Sequence, residues 1–514
     1  MRKGYYVVAF LGVVGAALVL TAGCIDYLAE DYAPLTDPKL ATWDAGADAD
    51  SGPAPSCIPS NNVEAVADAC GVFVSSSKGS DTTGKGSKAA PYQTLAKALA
   101  KAGGQPVYAC GEGFDEAVTI STSVELYGAL ECAKGWAYSA ATKTRLTASA
   151  DAIPMKLASS ADGSAVHDFA ITAADAMAAG GSSIAVLDEG AALTLENVDV
   201  VAGKGAAGAA GSAQAQVMTQ ASAKGSDGGD DAMCNVASNI PGGAGGTNAC
   251  SATKTDGGNG GKGIPDVNGG QGGDGQPISA KNGGAGQTSM ASCKAGTQGT
   301  DGLPGTAGTG AKGIGDVSTS GYHAPAGALG GTGNPGQGGG GGGGARECDM
   351  AAMFAGPSGG GGGAGGCGGL AGDPGHSGGS SIGILAPGAK LTLTTVMITT
   401  KGGGAGGLGG NGQKGAAGGL EGHAVAVGAC SGGPGGQGGA GGPGGGGAGG
   451  HSVAVAIKGG TLPDLKSTTV KHGSGGTGGG GGDMDVTMQT RGDDGLGCKT
   501  LDFTNPASPK ACAM

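Results

Sequence analysis

The chain has 514 residues, of which 121 are glycine and only 3% are aromatic, and its formal net charge is −12. So little bulky apolar material excludes a wide globular core but can fill a narrow one, where small and β-branched residues stack coil on coil. The acidity comes without a Lys/Arg cluster, which excludes nucleic acid as a partner class, because that affinity rests on neutralising phosphates.

Residues 1–24 read MRKGYYVVAFLGVVGAALVLTAGC. Arg2 and Lys3 form a positive n-region, Val7 to Leu20 an apolar h-region, and Thr21-Ala22-Gly23-Cys24 a small-residue cleavage site. The apolar run is short for a bilayer span. The segment resembles the lipobox of bacterial lipoproteins, with Thr21 in place of the usual Leu. That resemblance implies a removed signal peptide over 1–23 and lipidation of Cys24. In Gram-negative lipoproteins an Asp after the Cys holds the protein at the inner membrane. Ile25 stands there instead, which implies an outer-membrane lipoprotein, surface-exposed or periplasm-facing, held to the membrane through its lipid. An ordinary secretory signal with a chance Cys is the alternative. Residues 24–56, including DAGADADSGPAP, lack periodicity and are expected to form an acidic, disordered tether.

Folded sequence is expected from Cys57 to about residue 202. Leu95, Ala98, Leu99 and Ala102 fall on one helical face, and Gly103-Gly104 stops the helix. Such a helix would cap the open end of a solenoid. The set Val72-Phe73-Val74, Gly79-Ser80-Asp81, Pro91-Tyr92-x-Thr94-Leu95 and Val107-Tyr108 resembles the N-terminal part of a bacterial family of pectate-lyase-like right-handed β-helices, known only as a domain of unknown function. Val118-Thr119-Ile120, Val124 to Gly128 and Gly135-Trp136 continue the likeness, which covers residues 57–200. It implies an all-β fold: a right-handed parallel β-helix with an N-terminal capping helix.

One stretch is used twice. Residues 180–200 read GGSSIAVLDEGAALTLENVDV, and residues 378–398 read GGSSIGILAPGAKLTLTTVMI. A looser copy, GGHSVAVAIKGGTL, begins at Gly449. Each is two or three short alternating strands joined by a Gly turn, and each runs into a glycine tract. This is the pattern of solenoid coils with an excursion leaving the same corner each time. The coils are placed at 380–400 and 451–472, the Gly-rich insertions at 203–379 and 401–450, and a Gly-rich, Cys-containing tail at 473–514.

Residues 432–445 repeat Gly-Gly-X with period three. Collagen needs Pro-rich partners and one Gly in three, so this is not collagen. The period suits extended, polyglycine-II-like helices packed side by side, where only Gly lets backbones approach closely. A flexible loop is the other reading, favoured by the entropy cost of ordering Gly. The tracts resemble the Gly-Gly-X domain of mycobacterial PE-PGRS proteins in composition, without that family's N-terminal helical domain.

Apart from Cys24 there are twelve cysteines, an even number that suits disulfides in an oxidising compartment. Cys110 and Cys132 are about one solenoid turn apart and are paired on that ground; Cys57 is paired with Cys70. Cys498 and Cys512 in the tail are further disulfide candidates, although spacing alone does not fix connectivity. No C-x-x-C occurs and no His sits at ligand spacing from a Cys, so no structural metal is expected. No phosphate-cradling G-x-x-x-x-G-K-[ST] is present, and no cofactor is expected. Residues 269–275 approach a calcium-binding nonapeptide but have no tandem copies.

Polysaccharide lyases of this fold use clustered carboxylates and a basic residue. The acids here that could serve, Asp115, Glu116, Asp168 and Asp199, are scattered, as is Arg145. His167-Asp168 is the most catalytic-looking pair and reads as solvated surface. Arg491-Gly492-Asp493 matches a tripeptide read by animal integrins and is taken as chance. No catalytic residue is assigned. The sequence therefore reads as a non-enzymatic, lipid-anchored component of the cell envelope, structural or adhesive. It is similar to the glycine-rich lipoproteins of myxobacteria, with envelope polysaccharide or other surface proteins as partners. A polysaccharide-binding or polysaccharide-degrading β-helix is the alternative.

Overall fold

The computed structural model describes residues 56–62, 64–215, 223–230, 234–251, 253–265, 268–349, 353–484, 488–504 and 512. The signal segment, Cys24 and the tether up to residue 55 lie outside the described residues. Contacts divide the chain after Ala54, and the described residues all belong to the unit Pro55–Met514.

Three parallel sheets organise this unit, and the chain visits them in rotation. From Val107–Cys110 in the first sheet it passes to Gly113–Asp115 in the second and Val118–Ile120 in the third. It then returns to the first at Glu125–Glu131. The next circuits add Thr144–Thr147, Met155–Leu157 and Ser164–His167, then Phe169–Thr172, Ser183–Asp188 and Ala192–Glu196. Each strand pairs in parallel with its predecessor one circuit earlier. The two copies of the repeated stretch are stacked on each other. Ile184 lies opposite Ile382 and Leu187 opposite Leu385, and Leu193, Thr194 and Leu195 lie opposite Leu391, Thr392 and Leu393. The third copy, Ser452–Lys458, pairs with Ser381–Pro387.

Alternation along the strands sorts side chains. Thr119 is exposed between buried Val118 and Ile120, and the inward positions (Leu126, Leu146, Val166, Ile171, Leu195, Val200, Ile384, Val455) form one core between the sheets. The third sheet departs from this alternation. Its outward residues Ile184, Leu187, Ile382, Leu385 and Val453 are buried too, packed against Ile314, Val317 and Phe503. That is why the strands of the repeat carry near-continuous apolar runs, as doubly covered strands do.

The helix is Leu95–Ala102. The Thr94 hydroxyl accepts from the Lys97 amide, and Gly103 ends the helix with φ at 57°. Two carboxylates hold its start. Asp81 accepts from the Gln93 and Thr94 amides, and Glu116 accepts from the Leu95 and Ala96 amides at 2.7 and 3.1 Å. Leu95, Ala98 and Ala102 are buried, and Leu99 packs half-buried against the same core.

Each long excursion leaves after a strand of the second sheet and re-enters at the third. The exits follow Asp199–Ala202, Val396–Thr400 and Thr468–Lys471, and the returns are Ser381–Pro387, Ser452–Lys458 and Gly497–Asp502. The excursions are extended and bonded to one another at every third residue. Within residues 432–450, the amides of Gly435, Gly438 and Gly441 donate to Gly419, Ala416 and Gln413 of one neighbour. Those of Gly436, Gly439 and Gly442 donate to Gln337, Asn334 and Gly331 of a second. Carbonyls of the same tract accept from Gly299 and Gly302 of a third tract and from Gly366 and Gly369 of a fourth.

Glycine is needed here for space and not for dihedral freedom. No residue in 338–344 has a left-handed φ. A Cβ at Gly340 would lie 1.8 Å from the Asn282 carbonyl oxygen, at Gly341 2.0 Å from Asn259, and at Gly343 1.9 Å from Ala285. Residues 338–344 are buried on all sides, and they are glycine at every position. Tracts at the periphery keep every third side chain instead: Leu303, Leu408 and Leu420 are exposed.

Six disulfides tie the unit together. Cys57–Cys70, Cys110–Cys132 and Cys498–Cys512 close short loops beside the sheets. Cys234–Cys348, Cys250–Cys367 and Cys293–Cys430 close loops with separations of 114, 117 and 137 residues within the glycine tracts.

Replacing Gly341 by Ala should cost about 1–3 kcal/mol, the scale of overpacking a close-packed interior. Leu420→Ala, at an exposed third position, should stay within about 0.5 kcal/mol of the parent. Denaturant titration of the two oxidised variants compares them. Equal stabilities would mean that the tracts are not packed as described.

Candidate functional site

Parallel register places side chains of successive circuits in columns. On the outer face of the first sheet, Phe73, Tyr108, Tyr127, His167, Glu196 and Thr394 occupy one column. The rings stack: centroids are 5.0 Å apart for Phe73 and Tyr108, 5.5 Å for Tyr108 and Tyr127, and 4.7 Å for Tyr127 and His167. Trp136 packs edge-on against Phe73.

The first three rings are buried beneath the chain leading into the fold. Tyr108 donates its hydroxyl proton to the Cys57 carbonyl at 2.7 Å, and Cys57–Cys70 and Cys110–Cys132 secure the covering segments. Val66, Leu130 and Trp136 complete this apolar cluster, which is separate from the core between the sheets. The aromatic row is therefore structural up to Tyr127.

Beyond Tyr127 the cover ends at a cavity of about 450 Å³. Ser60 and Asn61 form one rim, and Glu125, Tyr127, His167 and Glu196 form the sheet wall. Tyr138, Asp168 and Asn197 close the far side. Tyr127 donates to Glu125 at 2.7 Å, His167 Nδ1 lies 3.1 Å from Glu196, and Tyr138 donates to Asp168 Oδ1 at 3.0 Å. Burial pushes the Tyr138 hydroxyl up to about 12, with the Asp168 charge adding to it. Burial and the Glu125 carboxylate likewise raise the Tyr127 hydroxyl well above its usual range. Both phenols stay protonated and act as donors.

Asp168 sits where the first sheet turns into the second. It has φ at 61°, and its counterparts one and two circuits on, Asn197 and Thr395, have 52° and 54°. Asn197 donates its side-chain amide to Asp168 Oδ1 at 2.5 Å, so two donors converge on that one oxygen.

The other acids lie elsewhere and have partners of their own. Glu116 serves the helix start. Asp115 accepts from Thr147 on the second sheet, where Asp199 pairs with Lys143 at 2.8 Å. Arg145 is on that sheet too, opposite Gly113 and Ala170. Thus, of the acids and the base singled out in the sequence, only Asp168 reaches the cavity, together with His167. The reading of that pair as solvated surface is corrected: Asp168 is 7% exposed, and the side chain of His167 is 17% exposed. Glu125, Tyr127, Tyr138, Glu196 and Asn197 were not singled out, because only the circuit-to-circuit register brings them together. The Tyr108–Tyr127 spacing of one circuit was the available signal.

Among the described residues, no group of three or more His, Cys, Asp or Glu side chains is arranged to hold a metal ion. Asp274, in the calcium-like heptad, accepts from the amides of Asn282 and Gly283. In the integrin-like tripeptide, Arg491 pairs with Asp494, and Asp493 pairs with Lys312 and accepts from the Gly313 amide. No helix among the described residues is long and apolar enough to cross a membrane. No family model matches the chain, and no curated protein or solved structure matches it significantly.

Thr395 is a β-branched residue held at positive φ, a costly conformation that Asn adopts readily. Thr395→Asn should stabilise the protein by about 1 kcal/mol, raising the thermal midpoint. A lowered midpoint would mean that the Thr side chain has a role the turn geometry does not reveal.

Proposed function

We propose that this protein is a non-enzymatic, lipid-anchored component of a bacterial cell envelope, structural or adhesive, built to hold a glycine-rich body at a surface. In this reading the three-sheet unit is a right-handed parallel β-helix. The excursions are polyglycine-II-like helices bundled against one corner of it, and Cys24 carries the lipid at an outer membrane. The observation that carries the reading is the bonding of the tracts to neighbours on several sides, closed by three long-range disulfides. Such a body has few internal freedoms left, and its peripheral side chains, including Leu303, Leu408 and Leu420, are offered outward. Asp115 and Asp199 on the second sheet and Glu116 at the helix are engaged with partners within the fold.

The test is expression of the full chain and its Cys24→Ser variant in a Gram-negative host. The parent should partition with the outer membrane and be cleaved on intact cells by added protease, and displaying cells should adhere or aggregate more than controls. The variant should move to the soluble fraction and lose that gain. A parent already soluble, or a variant that stays membrane-bound, would contradict the anchoring. Unchanged adhesion and envelope integrity in displaying cells would contradict the role.

A second reading, polysaccharide binding, is favoured by one observation: the cavity at His167 gathers hydroxyl, amide and carboxylate groups of the kind that match sugar hydroxyls.

A further inference from the structure

We infer that the cavity on the first sheet recognises an amino sugar through its protonated amine; this rests on the polysaccharide-binding reading and gives it a chemical class. The charge balance of the walls is the starting point. Glu125, Asp168 and Glu196 all line the cavity, and among the described residues neither Lys nor Arg does; the one basic group is His167. A uronic acid or a sulfated sugar entering there meets like charge, the kind of repulsive element that sets specificity. A ligand cation meets attraction that strengthens as the site is shielded from water.

The second observation is the state of Asp168. The residue is more than nine-tenths buried, at 7% exposed, and its carboxylate is fixed in place by Tyr138 and Asn197. Both of those donors converge on Oδ1. The remaining oxygen, Oδ2, accepts from no group among the described residues, and Asp168 lines the cavity. With no partner among them, Oδ2 keeps access to solvent at the cavity. A carboxylate oxygen open there favours a charged donor, and an ammonium brings three N–H groups in one compact head. Glu196, half-exposed at the open side, is placed to share that cation with Asp168 or to bind the next residue of a chain.

The rest of the lining suits a polyol. Ser60, Asn61 and Asn197 offer a hydroxyl and two amides. Among the described residues His167 Nε2 has no hydrogen-bond partner, while Nδ1 meets Glu196. A volume of about 450 Å³ lies within the range of small-ligand pockets and accommodates one or two pyranose rings. A simple polyamine would fill the charge requirement and leave these groups unused.

The test is calorimetric titration of the oxidised chain at mildly acidic pH and moderate salt with four probes: a glucosamine tetramer, its N-acetylated form, a galacturonate oligomer and spermidine. The glucosamine tetramer should bind, and the other three should bind at least about tenfold more weakly. Glu196→Gln and Asp168→Asn should each weaken the glucosamine tetramer about tenfold or more, whereas Asp464→Asn, an exposed acid elsewhere, should leave it unchanged. Glu196 is on the surface of the strand, so its variant keeps the test valid if Asp168→Asn does not fold. Equal binding of the N-acetylated tetramer would overturn the inference while leaving polysaccharide binding intact. Spermidine binding as tightly as the tetramer would overturn the sugar, and full binding by both cavity variants would overturn the location. Failure of every oligosaccharide would remove both the inference and the reading beneath it.

Discussion

The carbonyl oxygens of one glycine tract occupy the space where the side chains of the next would begin. At Gly340, Gly341 and Gly343 an added Cβ falls 1.8–2.0 Å from a neighbouring oxygen, well inside any tolerable contact. That single exclusion governs the rest of the excursions. Where a tract is surrounded, as in residues 338–344, every position is glycine; where one side is open, every third residue keeps a side chain. Ordering so many glycines costs more chain entropy than ordering any other residue type. Each amide–carbonyl bond returns only about 1 kcal/mol. Loops closed over 114 to 137 residues remove about 4–5 kcal/mol of unfolded-state freedom each in the chain-entropy account, which helps offset that cost.

The three sheets and the tracts depend on each other. Exits at the second sheet and returns at the third fix where every excursion starts and ends, so the tracts lie beside one another in a set order. In return, the structure grown from the excursions covers the outer face of the third sheet. His451 shows the join: its Nδ1 accepts from the Leu496 amide and its Nε2–H donates to the Ile314 carbonyl. Burial holds this imidazole below its usual range, so it remains neutral between the last returning strand and the inserted hairpin Asp316–His323.

Much of this was legible in the sequence because repetition and register are the same fact. The stretch used twice, at a constant offset, becomes two directly stacked strands with Ile184 on Ile382 and Leu193 on Leu391. The helix Leu95–Ala102 was legible from its face and its Gly stop, while its anchoring by Glu116 was not, since that contact crosses two strands. The alternating reading of the third-sheet strands failed because their outer cover comes from Ile314, Val317 and Phe503, more than a hundred residues away from Ile184. The cavity was the least legible part. Tyr127, His167 and Glu196 have no motif spacing; irregular connections between sheets make each circuit a different length, and only pairing reveals the column.

Hydrogen exchange of the oxidised chain, followed by mass spectrometry, addresses the packing of the tracts most directly. Amides in residues 257–263, 338–344, 359–366 and 432–450 should exchange as slowly as those of Ser183–Asp188 and Ser381–Pro387. Complete exchange of the tracts at the earliest time, with the sheet strands still protected, would contradict a bonded glycine body and leave the three sheets as the only ordered part.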